Sequence, residues 1–600
     1  MAAKKKPQHK IKKTKRGLKI ANANHKATPG AADKFNNTYI RYPDKITDEQ
    51  AGRTVLIDAI IEGDREKIAK LLEAGANPNK ATKDGKTPLH YAAKLGHTDI
   101  CDLILDAGAQ LNPRDKELKT PLFDALASPN PAKMVDFLLA AGLSADIEDS
   151  RGRVPLHDAA EAGSIESIKS LAAKTGNPAR PDNRGVQALH LAAEKNTVGA
   201  VQALLFERVG VFSSTHDGDT ALHIAVTRKD SDDVAQFLLK TEAAQLVNAV
   251  NLSGRSPLHL AVLHKKEQLA QDMIGHGADV NLPDKQGMTP LHEAADTVNI
   301  KMAKLLIAAG ADVGKAQKVS RVTPLILSIR QNSKALAEML LDAGADAGSP
   351  DADGITPLMS AASKPSSAIA GLLLAAGAST TVKDRLGRNV LQHCNSMLDE
   401  KIVKAFIDGG ADVNNRDTWQ RAPLINAMQD HNRTLVKLLL DNGADPNVKD
   451  DQGASPLQIA LQHRQYDNLD LLLKKGADPN IKDRWSEQPM LGYACVLGLD
   501  SAVKKLIDGG ADLNATDRDG RTALHHAVLN SWNSAEAVRL LLEAGADPLK
   551  KDKQGWTPLD IAFGQDKATP LKLIRDKLKK DGITANPKRY NPWGGNPGFM

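Results

Sequence analysis

His292 and Glu293 stand side by side in the stretch GMTPLHEAADTVN, residues 287–299. A histidine followed at once by glutamate opens the HExxH pattern of zinc peptidases. There, two histidines one helical turn apart hold the metal and the glutamate activates water. The fourth residue after His292 is Asp296, so the second histidine is missing. Six more histidines occur in the same local setting: His90, His157, His190, His223, His259 and His525. Zinc needs three or four ligands at about 2 Å from one ion. Histidines that recur one per layer cannot supply them, so the expected role is structural. The same repetition puts Glu293 at a variable position, shared with Tyr91 and Leu260, where a surface side chain is expected.

Other candidates for chemistry are sparse. Paired acids occur in SDD, 231–233, and KDD, 449–451, where solvated loops or helix starts are expected. Asp279, Asp312, Asp412, Asp445, Asp478, Asp512 and Asp547 recur in GAD triplets at helix ends. Glycine-rich phosphate loops, a serine nucleophile elbow and kinase signatures do not occur. Cys101, Cys394 and Cys495 lie far apart inside helical patterns, which suits buried small residues better than a disulfide framework. The expectation is a protein that is not an enzyme and uses no metal or cofactor.

The elements that carry these residues repeat. A leucine anchor in a TPL-like triplet recurs at Leu56, Leu89, Leu122, Leu156, Leu189, Leu222, Leu258, Leu291, Leu325, Leu358, Leu391, Leu424, Leu457, Leu524 and Leu559, with Met490 standing in once. Ten of the fifteen intervals are 33 residues and the rest are 34 to 36, a register that chance does not hold. Residues 84–112 show one unit. Asp84-Gly85 marks a turn, Thr87 and Pro88 suit a helix start, and Leu89, Ala92 and Ala93 share a helical face. Gly96 breaks that helix. Ile100, Leu103, Ile104 and Leu105 make a second apolar stripe that Gly108 ends. Aromatics are only 3% of the chain, so its core must be built from Leu, Ala, Ile and Val in thin, closely packed helices.

These units resemble the ankyrin repeat family. The resemblance rests on the 33-residue period, on TPLHYAA at 87–93, SPLHLAV at 256–262, TPLHEAA at 289–295 and TALHHAV at 522–528, and on endings such as LLLDNGADPN at 438–447. It covers roughly residues 50–575. It implies an all-α solenoid of helix–turn–helix–hairpin units. It also implies that Thr and His side chains bond locally to fix each first helix, and that protein partners lie on a concave groove of loop tips and first helices. Long chains made of such repeats also resemble the eukaryotic-like proteins that some bacteria send into host cells. The predicted organisation is a basic, disordered tail at 1–48, an array of about sixteen units with end caps at 49–580, and a Pro/Gly/Asn-rich flexible tail at 581–600. The segments 51–64 and 569–582 are expected to be the caps.

Where the register breaks, contact sites or bends are expected. TEAAQLVNAVN (241–251) replaces the usual Gly-Ala ending, ASPNPAK (127–133) carries two prolines, and KELKT (116–120) and KVSRVT (318–323) lack the turn glycine. The unit at 388–406 diverges most. All five tryptophans, Trp419, Trp485, Trp532, Trp556 and Trp593, lie in the last third. Trp419 and Trp485 fall on loop tips, and Trp556 is expected on the same side of a later loop. With Arg421 and Arg484 they form the candidate partner-binding patch, since exposed tryptophan and arginine are typical anchors.

Charge is uneven. Residues 1–50 hold 13 Lys/Arg against 4 Asp/Glu, a surplus of nine in a chain whose net charge is +6. Lys4, Lys5, Lys6, Lys10, Lys12, Lys13, Lys15, Arg16 and Lys19 precede the first acid, Asp33. Such a tail could bind nucleic acid through phosphates, an anionic membrane surface or a nuclear import receptor. No aromatic precedes Phe35, which argues against base stacking. Tyr590, Trp593 and Phe599 make the C-terminal tail a candidate docking motif, or a segment that folds back on the array. No apolar run spans a membrane, and the basic N-terminus lacks the apolar core of a secretory signal. The expected state is a cytoplasmic monomer that binds one or more proteins. The alternatives are a nuclear or nucleic-acid-targeted adaptor, or an effector-like protein secreted into a host cell by a leaderless route.

Overall fold

The computed structural model describes residues 41–207, 209–365, 367–530 and 535–590. They fall into two units, Met1–His216 and Asp217–Met600. In the first, five helix pairs follow one another, from Val55–Glu62 with Arg65–Glu73 to Ala188–Glu194 with Val198–Phe206. In the second, eleven pairs follow among the described residues, ending with Pro558–Gly564 and Ala568–Lys580. Within each unit first helices pack on neighbouring first helices, and second helices on second helices, which gives two helical layers. Each unit is an all-α solenoid of stacked pairs.

One repeat shows why the residues fold this way. The Asp284 carboxylate accepts from the backbone N–H of Gln286 at 2.9 Å and Met288 at 2.8 Å, which closes a turn. Gly287, at φ 85°, supplies the left-handed residue this turn needs. Thr289 is extended and Pro290 takes the first position of the helix Pro290–Asp296, where no N–H is missed. The chain reverses at Val298, and the Asn299 side chain caps Ile300–Ala308 by accepting from Met302 N–H at 3.1 Å. Leu291, Ala294, Ala295, Met302, Ala303 and Leu306 are all fully buried. Alanines let the two helices approach closely. Burying each leucine contributes roughly 1.5–3 kcal/mol, which a lone repeat could not collect.

Adjacent repeats are joined by polar rungs as well. The Lys285 N–H donates to the Ser253 carbonyl at 3.1 Å, and the Lys318 N–H to Gln286 at 3.1 Å, so each hairpin hangs on the one before. The Asn281 side chain donates to the Gly310 carbonyl at 3.0 Å and accepts from Asp312 N–H at 2.7 Å, tying one helix end to the next. Asn414 and Asn447 repeat this bond.

The departures have local causes. Leu118 at φ 62° and Arg321 at φ 52° adopt the left-handed turn conformation without glycine. The ending at 241–251 contains a short 3-10 helix, Glu242–Leu246, and the divergent unit reduces its first helix to a 3-10 turn, Val390–His393. In ASPNPAK, Asn130 caps the helix Pro131–Ala140. Met490 is not the anchor: Pro489 precedes the helix, so Leu491 takes that place. The cause is one extra hairpin residue. The Asp483 N–H reaches the Gln488 carbonyl, five residues on, whereas the Asp417 N–H reaches Arg421, four residues on. At the front, Ile46–Asp48 pairs antiparallel with Arg53–Thr54, and Asp44 accepts from Asn77 N–H at 2.9 Å.

Candidate functional site

The seven histidines are consumed by the fold. In His292 the Nδ1 atom accepts from Thr289 N–H at 3.1 Å and lies 2.8 Å from the Thr289 hydroxyl. A nitrogen that accepts carries no proton, so the proton sits on Nε2, which donates to the Val322 carbonyl of the next repeat at 3.1 Å. His90, His157, His223, His259 and His525 make the same bond to Lys119, Val186, Arg255, Met288 and Trp556, all at 3.0–3.1 Å. His190 reaches the Ser213 carbonyl instead, at 3.3 Å. Thr87, Thr220, Ser256 and Thr522 stand to their histidines as Thr289 does. Burial lowers the imidazole pKa, in His292 to about 4, which favours the neutral form this bonding requires. Among the described residues no three His, Cys, Asp or Glu side chains converge on a metal position.

Glu293 is not at the surface; it is 4% exposed. It accepts from Arg255 Nη2 of the preceding repeat at 2.7 Å, and burial raises its carboxyl pKa. The position after the histidine lies beneath the basic residue of a neighbouring hairpin, so an acid there is covered. Lys86–Asp124, 2.7 Å, follows the same rule, whereas Asp158 is held by Arg153 of its own hairpin. The thiols of Cys101, Cys394 and Cys495 are buried and free, and burial pushes all three up, the first two to about 12.

The hairpin tips of the second unit are different. The Trp419 and Trp485 N–H groups each donate to the hairpin aspartate two residues earlier, Asp417 and Asp483, at 2.9 Å, so the two rings hold the same place counted from that acid. Trp419 is 40% exposed and Trp485 70%. The Arg421 guanidinium lies 4.6 Å from the centre of the Trp419 ring, and that of Arg484 lies 5.5 Å from Trp485. The intervening tip links them: Asp451 N–H donates to the Trp419 carbonyl at 3.0 Å, and Arg484 Nη1 to the Asp451 carbonyl at 2.5 Å. Three hairpins thus present one bonded strip with two exposed rings, each backed by a cation. Arg421 is also held by Asp417, Nε to Oδ2 3.3 Å, so its side chain is fixed rather than free.

Trp556 does not join this strip. It is 5% exposed and lies edge-on to Tyr590, ring centres 5.4 Å apart. It stands three residues before its anchor, where Arg255 and Arg421 stand in their repeats, and that position lies at the foot of the hairpin rather than its tip. Lys4, Lys5, Lys6, Lys10, Lys12, Lys13, Lys15, Arg16 and Lys19 lie outside the described residues, as do Trp532 and Trp593. No helix of the described residues is long and apolar enough to cross a membrane.

A family model for ankyrin repeats, three copies long, matches residues 36–115, 56–150, 122–212, 156–249, 189–284, 222–317, 299–384, 390–483 and 491–581. The chain belongs to the ankyrin repeat family. The last match begins at 491, which agrees with Leu491 as the anchor of its repeat. Ankyrin repeats form a protein–protein interaction domain. The potassium channel AKT1 of Oryza sativa subsp. indica is 43% identical over 76 residues, 12% of this chain and 8% of the channel. The ankyrin repeat and LEM domain-containing protein 1 homolog of Caenorhabditis elegans is 44% identical over 63 residues, 10% of this chain and 9% of its own. The glycerophosphocholine phosphodiesterase gde1 of Schizosaccharomyces pombe is 35% identical over 106 residues, 18% of this chain and 9% of that enzyme. The matched stretches therefore span less than a tenth of each of these relatives. Among solved structures, the ankyrin repeat domain of Bcl-3 aligns at 26% identity over 43% of this chain and all of its own, with a TM-score of 0.34.

Proposed function

We propose that this ankyrin repeat protein is a non-enzymatic scaffold whose partner proteins dock on the hairpin tips and first helices, with Trp419, Arg421, Arg484 and Trp485 as anchors in the second unit. The observation that carries this reading is the exposure of two tryptophans at equivalent tips, each beside a guanidinium. Large apolar rings in water are costly unless something covers them. The chemistry suits a partner segment that sets an apolar side chain on a ring and a carboxylate on the adjacent arginine. A cytoplasmic, reducing setting goes with this reading, and three buried free thiols suit it.

The test is a pull-down from cell extract with wild type and a Trp419→Ala/Trp485→Ala chain, followed by titration of each purified partner. Loss of at least one partner, with a Kd raised tenfold or more, is expected. Identical partner sets with unchanged affinities would remove the two tryptophans as anchors.

A further inference from the structure

The final repeat breaks the register at three positions, and all three meet one segment. In seven of the repeats above, the residue after the anchor is a histidine that donates to a carbonyl further along the chain. In the final repeat it is Asp560, 6% exposed. No other repeat has an acid at that position. Asp560 Oδ2 does the local work of the imidazole, accepting from Thr557 N–H at 3.1 Å and from its hydroxyl at 2.8 Å. Its Oδ1 faces outward and accepts from Lys588 N–H at 2.6 Å. The polarity is inverted: where a histidine seeks a carbonyl, Asp560 seeks an N–H. The chain supplies it by turning back after Ala568–Lys580 through Gly582, φ 69°.

The other two exceptions are Trp556 and Gly564. Trp556 is the one tryptophan three residues before an anchor, and its ring meets Tyr590 edge-on. Gly564 ends the first helix five residues after its anchor, where other repeats carry Lys94, Glu161, Glu194 or Arg330. A Cβ on Gly564 would stand 2.5 Å from Tyr590 N and 2.8 Å from its Cα, so only glycine admits the segment. Adjacent acceptor, aromatic wall and glycine floor describe a site for an extended peptide, not merely a polar end to the array.

We propose that Trp556, Asp560 and Gly564 form a peptide-binding site that this chain fills with its own residues 586–590. An extended segment of the same chemistry, an N–H donor followed two residues later by an aromatic side chain, competes for it in trans. The site is separate from the Trp419–Trp485 strip, so either can fail without the other.

The test uses the full-length chain and a fluorescent peptide, ITANPKRY, corresponding to residues 583–590, read by anisotropy. Wild type takes the peptide weakly, because the site is filled. Tyr590→Ala loosens the resident segment, and binding at least tenfold tighter is expected. Adding Gly564→Val to that chain, or replacing the peptide's tyrosine by alanine, abolishes the gain. A Tyr590→Ala chain of native circular dichroism that binds no better than wild type overturns the proposal, as does binding that Gly564→Val leaves intact. Should Tyr590→Ala unfold, amide exchange in wild type decides: a Lys588 N–H slowed tenfold or more supports the site, and exchange at the free-peptide rate overturns it.

Discussion

Gln392 Nε2 donates to the Arg421 carbonyl at 2.8 Å, the bond that His292 Nε2 makes to Val322 at 3.1 Å. Its Oε1 accepts from Asn389 N–H at 3.1 Å, as Nδ1 of His292 does from Thr289. Glutamine thus reproduces both bonds of the neutral imidazole. His292→Gln is expected to cost less than about 1 kcal/mol. His292→Ala is expected to cost about 2–3 kcal/mol, because it leaves a buried N–H and a buried carbonyl without partners. Amide exchange of residues 290–325 measures both, since long arrays do not unfold in one step. Equal losses in the two variants would refute the shared role.

The same bonds make the arrays acid-sensitive. His90, His157, His223, His259, His292 and His525 all have pKa values lowered below 6.5 by burial. The unfolded chain binds their protons first, so their stabilising contribution is complete above about pH 6.5 and declines as pH falls. For His292, held at about 4, the decline continues to that pH and reaches about 3 kcal/mol. Urea midpoints recorded between pH 7.5 and 4.5 are expected to fall steadily. The His292→Gln chain, lacking one of these groups, is expected to fall less steeply.

Much of this was legible in sequence because the repeat makes each position its own control. The 33-residue spacing places the helices, and the ankyrin resemblance implies the local Thr–His bond. The histidine's second bond, to a carbonyl 23–32 residues away, is hidden because a backbone acceptor has no side-chain signature. A helical period does not say which face lies under a neighbour's arginine, so the burial of Glu293 is not legible in the sequence. Trp556 resembles Trp419 and Trp485 only in residue type, for it stands two places nearer its anchor than Trp419. The signal for the C-terminal site was present as TPLD at 557–560, an acid where the register has histidine, but its donor lies 28 residues away.

Arg255 and Glu293 make a pair whose acid is covered and whose base is partly exposed, with side chains 31% and 5% accessible. Removing the base strands the acid. Arg255→Ala is expected to destabilise the second unit by about 2 kcal/mol and to raise the Glu293 pKa further. Glu293→Gln, which strands nothing charged in the interior, is expected to cost about 1 kcal/mol. A larger loss in Glu293→Gln than in Arg255→Ala would contradict the assignment of burial to the acid.

The tryptophans separate by access. Trp485 is 70% exposed and Trp556 only 5%. Acrylamide quenching of the native chain is expected to weaken in Trp485→Phe and to strengthen in Trp556→Phe, because the second change removes a shielded emitter. The opposite pattern would place Trp556 at a tip after all.

Val298 is the one β-branched residue in the left-handed region among the described residues. It links the helices Pro290–Asp296 and Ile300–Ala308 at φ 53°, where a β-branched side chain meets its own backbone. Other repeats use Gly63, Gly96 or Gly163 at this reversal, at φ 70–81°. The left-handed conformation costs a non-glycine residue about 1–2 kcal/mol, against which glycine loses roughly 0.5–1 kcal/mol of unfolded-state entropy. The Val298 side chain is 37% exposed, so it returns little by burial. Val298→Gly is therefore expected to stabilise its repeat by about 0.5–1 kcal/mol, and Val298→Asn by less. The readout is slower exchange of the Asn299 N–H, which bonds to the Ala294 carbonyl at 2.9 Å across the reversal. Faster exchange in Val298→Gly would show that valine's contacts outweigh its strain.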